Sequence, residues 1–332
     1  MSLPAPRTDV VRPPFDPDVA RALELHADEL VTAMLPEEVV AVRERPPADP
    51  DPDDEALSRG GRFAVRDVVV PGEGDQPDVP LVVCLPTDAD LPGPVPVLYF
   101  VHGGGLVAGN ARRDLMPVLA LAEALRLAVV SVEYRLAPET RYPGPLDDCL
   151  RGLTWLVAEA PALGIDPAQV VVMGASAGGG LAAALALRAR DRGAPALRGQ
   201  LLVYPMLDDR NSTPSSFQMA GVGVWDRTAN ATGWGAMLGE AAGGPDVPAY
   251  AAPARARDLS GLPPAYVDVG SADTFRDEDV AYASAIWAAG GDAELHVWPG
   301  GCHGFDGLVP GSLLASDAFE ARYAWLRRLL RR

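Results

Sequence analysis

Lysine is absent from the 332-residue chain, so its 28 cationic side chains are all arginine. They are outnumbered by 45 acidic residues, giving a formal charge of −17. That balance removes the basic footprint that nucleic-acid binding requires, and it disfavours docking on an anionic membrane. Aromatics are sparse at 6% of the chain, which leaves Ala, Val and Leu to fill the core. No apolar run approaches the roughly 20 residues of a membrane span, so no membrane insertion is expected. The N-terminus MSLPAPRTDVV lacks a charged segment followed by an apolar one, so the expected location is cytoplasmic. Cysteine is scarce too. Cys84, Cys149 and Cys302 are odd in number and scattered, which argues against a disulfide framework or a zinc site. There are four histidines, so few residues compete for the role of a general base.

What the chain does contain is a rhythm. Nearly half of it is apolar (48%), enough for a sizeable core. FDPDVARALELHADEL has helical spacing after an Asp-Pro start, and a second short helix fits residues 36–43. A Pro/Asp-rich run, PPADPDPDDEALSRGG, follows at 46–61 and reads as a solvated linker. It lacks the ligand spacing and central glycine of a calcium loop. From Arg62, RFAVRDVVV and PLVVCLP read as an antiparallel strand pair, and VPVLYFVH as a strand buried on both faces. Helix 113–125, strand LAVVSVEY and helix 145–160 come next. VVVMGASAGGG with its helix, strand GQLLVYP, strand PAYVDVG, helix 278–289, strand AELHVWP and helix 315–330 complete the series. Alternation of this kind predicts an α/β fold: a mostly parallel, eight-stranded sheet with helices on both faces, its first strands antiparallel. One segment breaks the pattern. Residues 206–250 promise no strand and carry Met219, Trp225, Trp234 and Met237, more apolar surface than a plain loop needs. Emerging between two strands, the segment must leave the sheet where active sites of such folds open. It reads, with the N-terminal helices, as a helical cap. The expected organisation is cap residues 1–55, a catalytic domain at 56–205 and 251–332, and a cap insertion at 206–250.

Gly174-Ala175-Ser176-Ala177-Gly178 fits G-x-S-x-G between a strand and a helix, the context of a nucleophile elbow. A serine hydroxyl needs a base, and histidine is the usual one. His26 lies in the first helix. His102 opens a glycine run and reads as an anchor for that loop. His296 sits inside a strand, so its side chain points across the sheet. His303 follows a strand's C-terminal end and is the choice that position makes. The acid that orients it should come between Ser176 and His303 in the chain. Asp273 stands just past the strand YVDVG, with Asp277 as the alternative. A tetrahedral oxyanion needs backbone N–H donors. Ala177 supplies one, and the loop His102-Gly103-Gly104-Gly105, placed after an earlier strand, can supply others. No close ligand spacing links these residues as a metal site, and no Walker pattern marks the glycine-rich segments as a phosphate cradle.

With HGGG at His102–Gly105, YRLAPE at Tyr134–Glu139, Tyr142-Pro143 with Asp148, GASAGG at Gly174–Gly179, Asp273 with Asp277-Glu278, and HGF at His303–Phe305, the chain resembles the hormone-sensitive-lipase-like branch of the α/β-hydrolases. These proteins are also called family IV bacterial esterases. The resemblance spans roughly residues 60 to 310. It implies an α/β-hydrolase fold with a helical cap. It also implies hydrolysis of short- to medium-chain carboxylic esters through an acyl-enzyme on Ser176, without a cofactor, and an oxyanion hole of Gly104, Gly105 and Ala177 beside Gly103. The partner it implies is a small-molecule ester; a homodimer is left open. Cleavage of amides, carbamates or lactones by the same triad is the alternative chemistry, and a non-catalytic binding protein is the alternative class. Three positions depart from the family pattern: Ala175 replaces an acidic residue, Thr274 a proline, and Leu106 an aromatic.

Overall fold

The computed structural model describes residues 10–44, 50–72, 74–91 and 93–331. Before the sheet come three short helices, α1 (Pro17–Leu25), α2 (Val39–Glu44) and α3 (Asp54–Ser58). The sheet itself is built from β1 (Phe63–Val70), β2 (Val79–Pro86), β3 (Val95–Val101), β4 (Ala128–Val132), β5 (Ile165–Ala175), β6 (Gly199–Val203), β7 (Ala265–Gly270) and β8 (Ala293–Trp298). Between and after these run α4 (Leu115–Leu125), α5 (Gly144–Glu159), α6 (Ala177–Arg192), α7 (Pro214–Gln218), α8 (Arg227–Leu238), α9 (Arg276–Ala288), α10 (Phe305–Leu308) and α11 (Leu313–Leu330).

The strand order is β1-β2-β4-β3-β5-β6-β7-β8, with β1–β2 and β2–β4 antiparallel and the remaining pairs parallel. All five residues of β4 and all five of β6 are buried. That matches their mainly apolar sequences, interrupted only by the buried Ser131 and Gln200, and a sheet covered on both faces. One face packs against α5, α6 and α9 through Leu146, Leu185 and Ile286. The other packs against α3, α4 and α11 through Leu57, Leu119 and Leu326. From β3 the chain steps to β4 on one side and then to β5 on the other. The direction of winding therefore reverses between β3 and β5, where ligands bind in open sheets of this kind. Val101 at the end of β3 pairs with Gly174 at the end of β5, so the loops that leave these strands are neighbours.

The expected linker at 46–61 needs correction. Residues 45–49 lie outside the described residues, but Asp54–Ser58 form α3. Asp53 caps it, its Oδ1 accepting from the Ala56 N–H at 2.9 Å, and Leu57 is fully buried beside Phe63 and Leu119. A cap of this type is worth about 1 kcal/mol. One buried leucine and one cap outweigh the polar composition of the run.

The segment at 206–250 holds no strand; its order comes from α7 and α8. Both helices are capped by side chains, Thr213 accepting from the Ser216 N–H and Asp226 from the Ala229 N–H. The segment is tied to the N-terminal stretch by the Thr32 hydroxyl donating to the Gly223 carbonyl at 2.6 Å, the Asp226 N–H to Thr32 at 3.2 Å, and the Thr232 hydroxyl to Met34 at 2.6 Å. Among the described residues no helix is long and apolar enough to cross a membrane.

Candidate active site

β5 ends at Ala175 and α6 begins at Ala177, so Ser176 alone makes the turn, with φ 56° and ψ −122°. A non-glycine residue rarely adopts that backbone. It is held by the Ser176 N–H donating to Val203 at 2.9 Å and by its own carbonyl accepting from Gly180 and Met206 at 3.1 and 2.9 Å. The flanking glycines are a steric requirement. A Cβ on Gly174 would stand 2.1 Å from the Gly178 carbonyl oxygen, and one on Gly178 would stand 2.0 Å from that of Val101. Ala177 opens α6, so its N–H is among the four that a helix leaves without an intrahelical partner.

The structure brings Ser176, His303 and Asp273 together. His303 Nε2 lies 2.9 Å from Ser176 Oγ, and its Nδ1 lies 3.0 Å from Asp273 Oδ2. All three are buried, Asp273 fully. The second oxygen of Asp273 accepts from the Phe275 N–H at 2.9 Å, which fixes the carboxylate plane. The imidazole is gripped edge-on by Tyr204 and Phe275, each with its ring centroid 4.9 Å away. Asp277 turns elsewhere: it accepts from the Ser215 N–H at 2.7 Å and pairs with Arg276 at 2.8 Å.

His102 is buried and stacks on Tyr134 with centroids 4.1 Å apart. Its Nδ1 lies 2.8 Å from the Gly103 carbonyl, so that nitrogen carries the proton and donates. Burial pushes its pKa down to about 4, against a smaller upward pull from that same bond. The imidazole is therefore neutral and holds the loop as an anchor. The loop is braced from the YRLAPE stretch as well. The Tyr134 hydroxyl donates to the His102 carbonyl at 2.9 Å, and the Ala137 N–H to Leu106 at 2.9 Å. Arg135 grips the buried Asp148 at 2.7 and 2.8 Å. The other two histidines lie outside this arrangement: His26 pairs with Glu29 on the surface, and His296 bonds Glu294 and stacks against Trp298.

A cavity of about 770 Å³ is lined by Gly103, Gly104, Gly105, Ser176 and His303. Its depth is apolar, with Phe100, Leu121 and Met173 among its walls. Of the four large apolar residues noted in 206–250, Trp225 faces this cavity, while Met219, Trp234 and Met237 are buried. The Trp225 ring sits so close to the backbone that a Cβ on Gly105 would stand 2.1 Å from it. Thr274, one of the departures from the family pattern, uses its hydroxyl to donate to the Trp225 carbonyl at 2.7 Å. Ala175 contributes to the cavity wall, and the Leu106 side chain is buried.

Sequence reasoning missed a second polar cluster at the cavity wall. Arg322 of α11 pairs with Asp268 of β7 at 2.8 Å and with Asp306 of α10, and the Tyr204 hydroxyl donates to Asp306 at 2.9 Å. Burial raises Asp268, with Arg322 pulling the other way; burial also opposes ionisation of Asp306, but Arg322 and Tyr204 hold it below the ordinary range. The one usable signal was Asp268 itself, a carboxylate in the middle of an apolar strand. No group of His, Cys, Asp and Glu able to hold a metal ion occurs among the described residues.

Residues 97–307 match the family described as alpha/beta hydrolase fold. The chain is similar to the carboxylesterase NlhH of Mycobacterium tuberculosis, 37% identical over 242 residues that cover 71% of this chain and 74% of the relative. It is also 37% identical to the esterase LipI of the same species, over 228 residues covering 67% and 70% of the two chains. Among solved structures, a bacterial heroin esterase superposes with a TM-score of 0.82 at 37% identity, covering 96% of this chain and 98% of the other.

Proposed function

The chain belongs to the hormone-sensitive-lipase-like branch of the α/β-hydrolases and is a carboxylic ester hydrolase, and from this premise we propose that Ser176 is the nucleophile, His303 the general base and Asp273 the residue that orients it. Ser176 Oγ attacks the ester carbonyl carbon while His303 Nε2 takes the hydroxyl proton. Asp273 holds the ring in the tautomer with Nδ1 protonated and stabilises the imidazolium that forms. The N–H groups of Gly104, Gly105 and Ala177 receive the oxyanion, with Gly103 completing the loop; each such donor is worth about a hundred- to a thousand-fold in rate. His303 then protonates the leaving alcohol, activates a water against the acyl-enzyme, and the carboxylic acid departs.

The observation that carries this reading is the unbroken chain of contacts, 2.9 Å from Ser176 to His303 and 3.0 Å on to Asp273, opening on one cavity beside the glycine loop. The stretches before β1 and at 206–250, tied to each other and contributing Val224 and Trp225 to the cavity wall, act as its cap. Three buried, unpaired cysteines support a reducing, cytoplasmic setting.

A fluorophosphonate probe should label the wild-type protein at Ser176. Ser176→Ala should lose labelling and lower kcat for p-nitrophenyl esters by about a millionfold with the fold unchanged. A wild type that resists the probe, or a Ser176→Ala protein that keeps its turnover, would refute the assignment. A C2 to C12 p-nitrophenyl series then fixes the acyl length the cavity accepts.

A further inference from the structure

Asp114 immediately precedes α4 and has a left-handed backbone, φ 63° and ψ 7°, unusual for a residue with a side chain. An aspartate in that position commonly caps its helix, yet this side chain makes no cap hydrogen bond. Solvent reaches it through the cavity that holds Ser176 and His303, although protein surrounds it on the other sides, and it forms no hydrogen bond or ion pair with any described residue. Nearby cations are already engaged. Arg113 pairs with Asp51, and Arg322, the one arginine of the cavity wall among the described residues, is shared between Asp268 and Asp306. The wall thus presents an unanswered negative charge beside a guanidinium that two carboxylates already neutralise. Pro117, Val118 and Leu121 follow on the same face of α4, and Phe319, Tyr204 and Trp225 add aromatic rings, surfaces to which ammonium groups bind through the ring quadrupole.

We propose that Asp114 is a specificity residue of this cavity, and that the esters taken best carry an ammonium group on an apolar frame. The inference rests on Ser176 being the esterase nucleophile. The surrounding protein supports it independently: desolvation raises the Asp114 pKa, Arg113 offsets this in part, and Asp306 adds to it. A ligand cation would relieve that strain by favouring the charged carboxylate.

The test uses matched esters that differ by one charge. On the acyl side, p-nitrophenyl 4-(trimethylammonio)butanoate is compared with p-nitrophenyl 5,5-dimethylhexanoate. On the alcohol side, 3-(trimethylammonio)propyl acetate is compared with 4,4-dimethylpentyl acetate. In the wild type at low salt, kcat/KM should favour the ammonium member of at least one pair by about fivefold. The preference should shrink in 1 M salt, where the screening length is about 3 Å. Asp114→Asn, which tolerates the same left-handed backbone, should abolish the preference and leave the neutral esters within about twofold. No preference in either pair, a preference that survives Asp114→Asn, or equal slowing of charged and neutral esters would overturn the proposal. Turnover of p-nitrophenyl acetate by the same proteins judges the Ser176 reading separately. If that activity is intact and the ammonium preference is missing, the cation site falls and the esterase reading stands.

Discussion

Two carboxylate-anchored chains lie side by side at the cavity wall, and both touch Tyr204. In Asp273–His303–Ser176 the charge ends on a neutral hydroxyl facing open space. In Asp268–Arg322–Asp306 the charge closes on itself, one guanidinium between two carboxylates. The ring of Tyr204 braces His303 while its hydroxyl serves Asp306. In the role proposed for it, the first chain has a task left, receiving a proton when a substrate arrives. The second joins β7, α10 and α11 as an ion-pair network at the cavity wall. Both clusters reach the cavity wall, so what separates them is whether the last member is a neutral hydroxyl with a proton to give or a carboxylate already held by a guanidinium.

That contrast can be broken by substitution. The largest effect should fall on the first chain. Asp273→Asn, which keeps the shape but favours the wrong imidazole tautomer, should cost about ten-thousandfold in kcat. Asp277→Asn, aimed at α7, should leave kcat within a few-fold; equal losses in the two variants would erase the assignment of the acid. Next, Arg322→Met should strand two carboxylates and lower stability by about 3–5 kcal/mol, measured by denaturant unfolding. A loss of activity with unchanged stability would instead place Arg322 in the first class.

The smallest effect concerns pH. Burial lowers the pKa of His102 to about 4 from the ordinary imidazole value of 6.5. Below 6.5 the unfolded chain binds a proton that the folded protein refuses, so the contribution of this residue is complete above pH 6.5 and is lost as pH falls toward 4. A gap of about 2.5 pH units is worth about 3 kcal/mol. Unfolding free energies measured from pH 7 to 4 should therefore fall less steeply in His102→Gln than in the wild type. Parallel slopes would show that His102 is protonated in the folded protein after all.

The same division governs what could be read from sequence. Strands were visible as β-branched runs such as VVVM and LAVVSV, because a sheet covered on both faces leaves no polar alternation to confuse them. The constellation around Ser176 was visible because each member stands at a strand's C-terminal end and in a fixed order. Arg322 was invisible: it lies 54 residues beyond Asp268, in a helix whose other arginines look alike. α3 was hidden by its Pro/Asp-rich surroundings, since one buried leucine leaves no periodic pattern. Trp225 could not be told from Trp234 by composition, because which tryptophan meets the cavity depends on how α8 docks. Asp114 carried no signal either; its meaning lies in having no partner, which only three dimensions reveal.

The backbone at Ser176 has a thermodynamic sequel. A side chain at φ 56°, ψ −122° costs about 1–3 kcal/mol that glycine would not incur. Ser176→Gly should therefore melt above Ser176→Ala while being equally dead, a difference that calorimetry on the two proteins would register. The most stable version of this elbow is one that cannot react. Selection for folding alone would drift to glycine at this position, so a serine held there against that gradient is what the nucleophile role proposed for it requires.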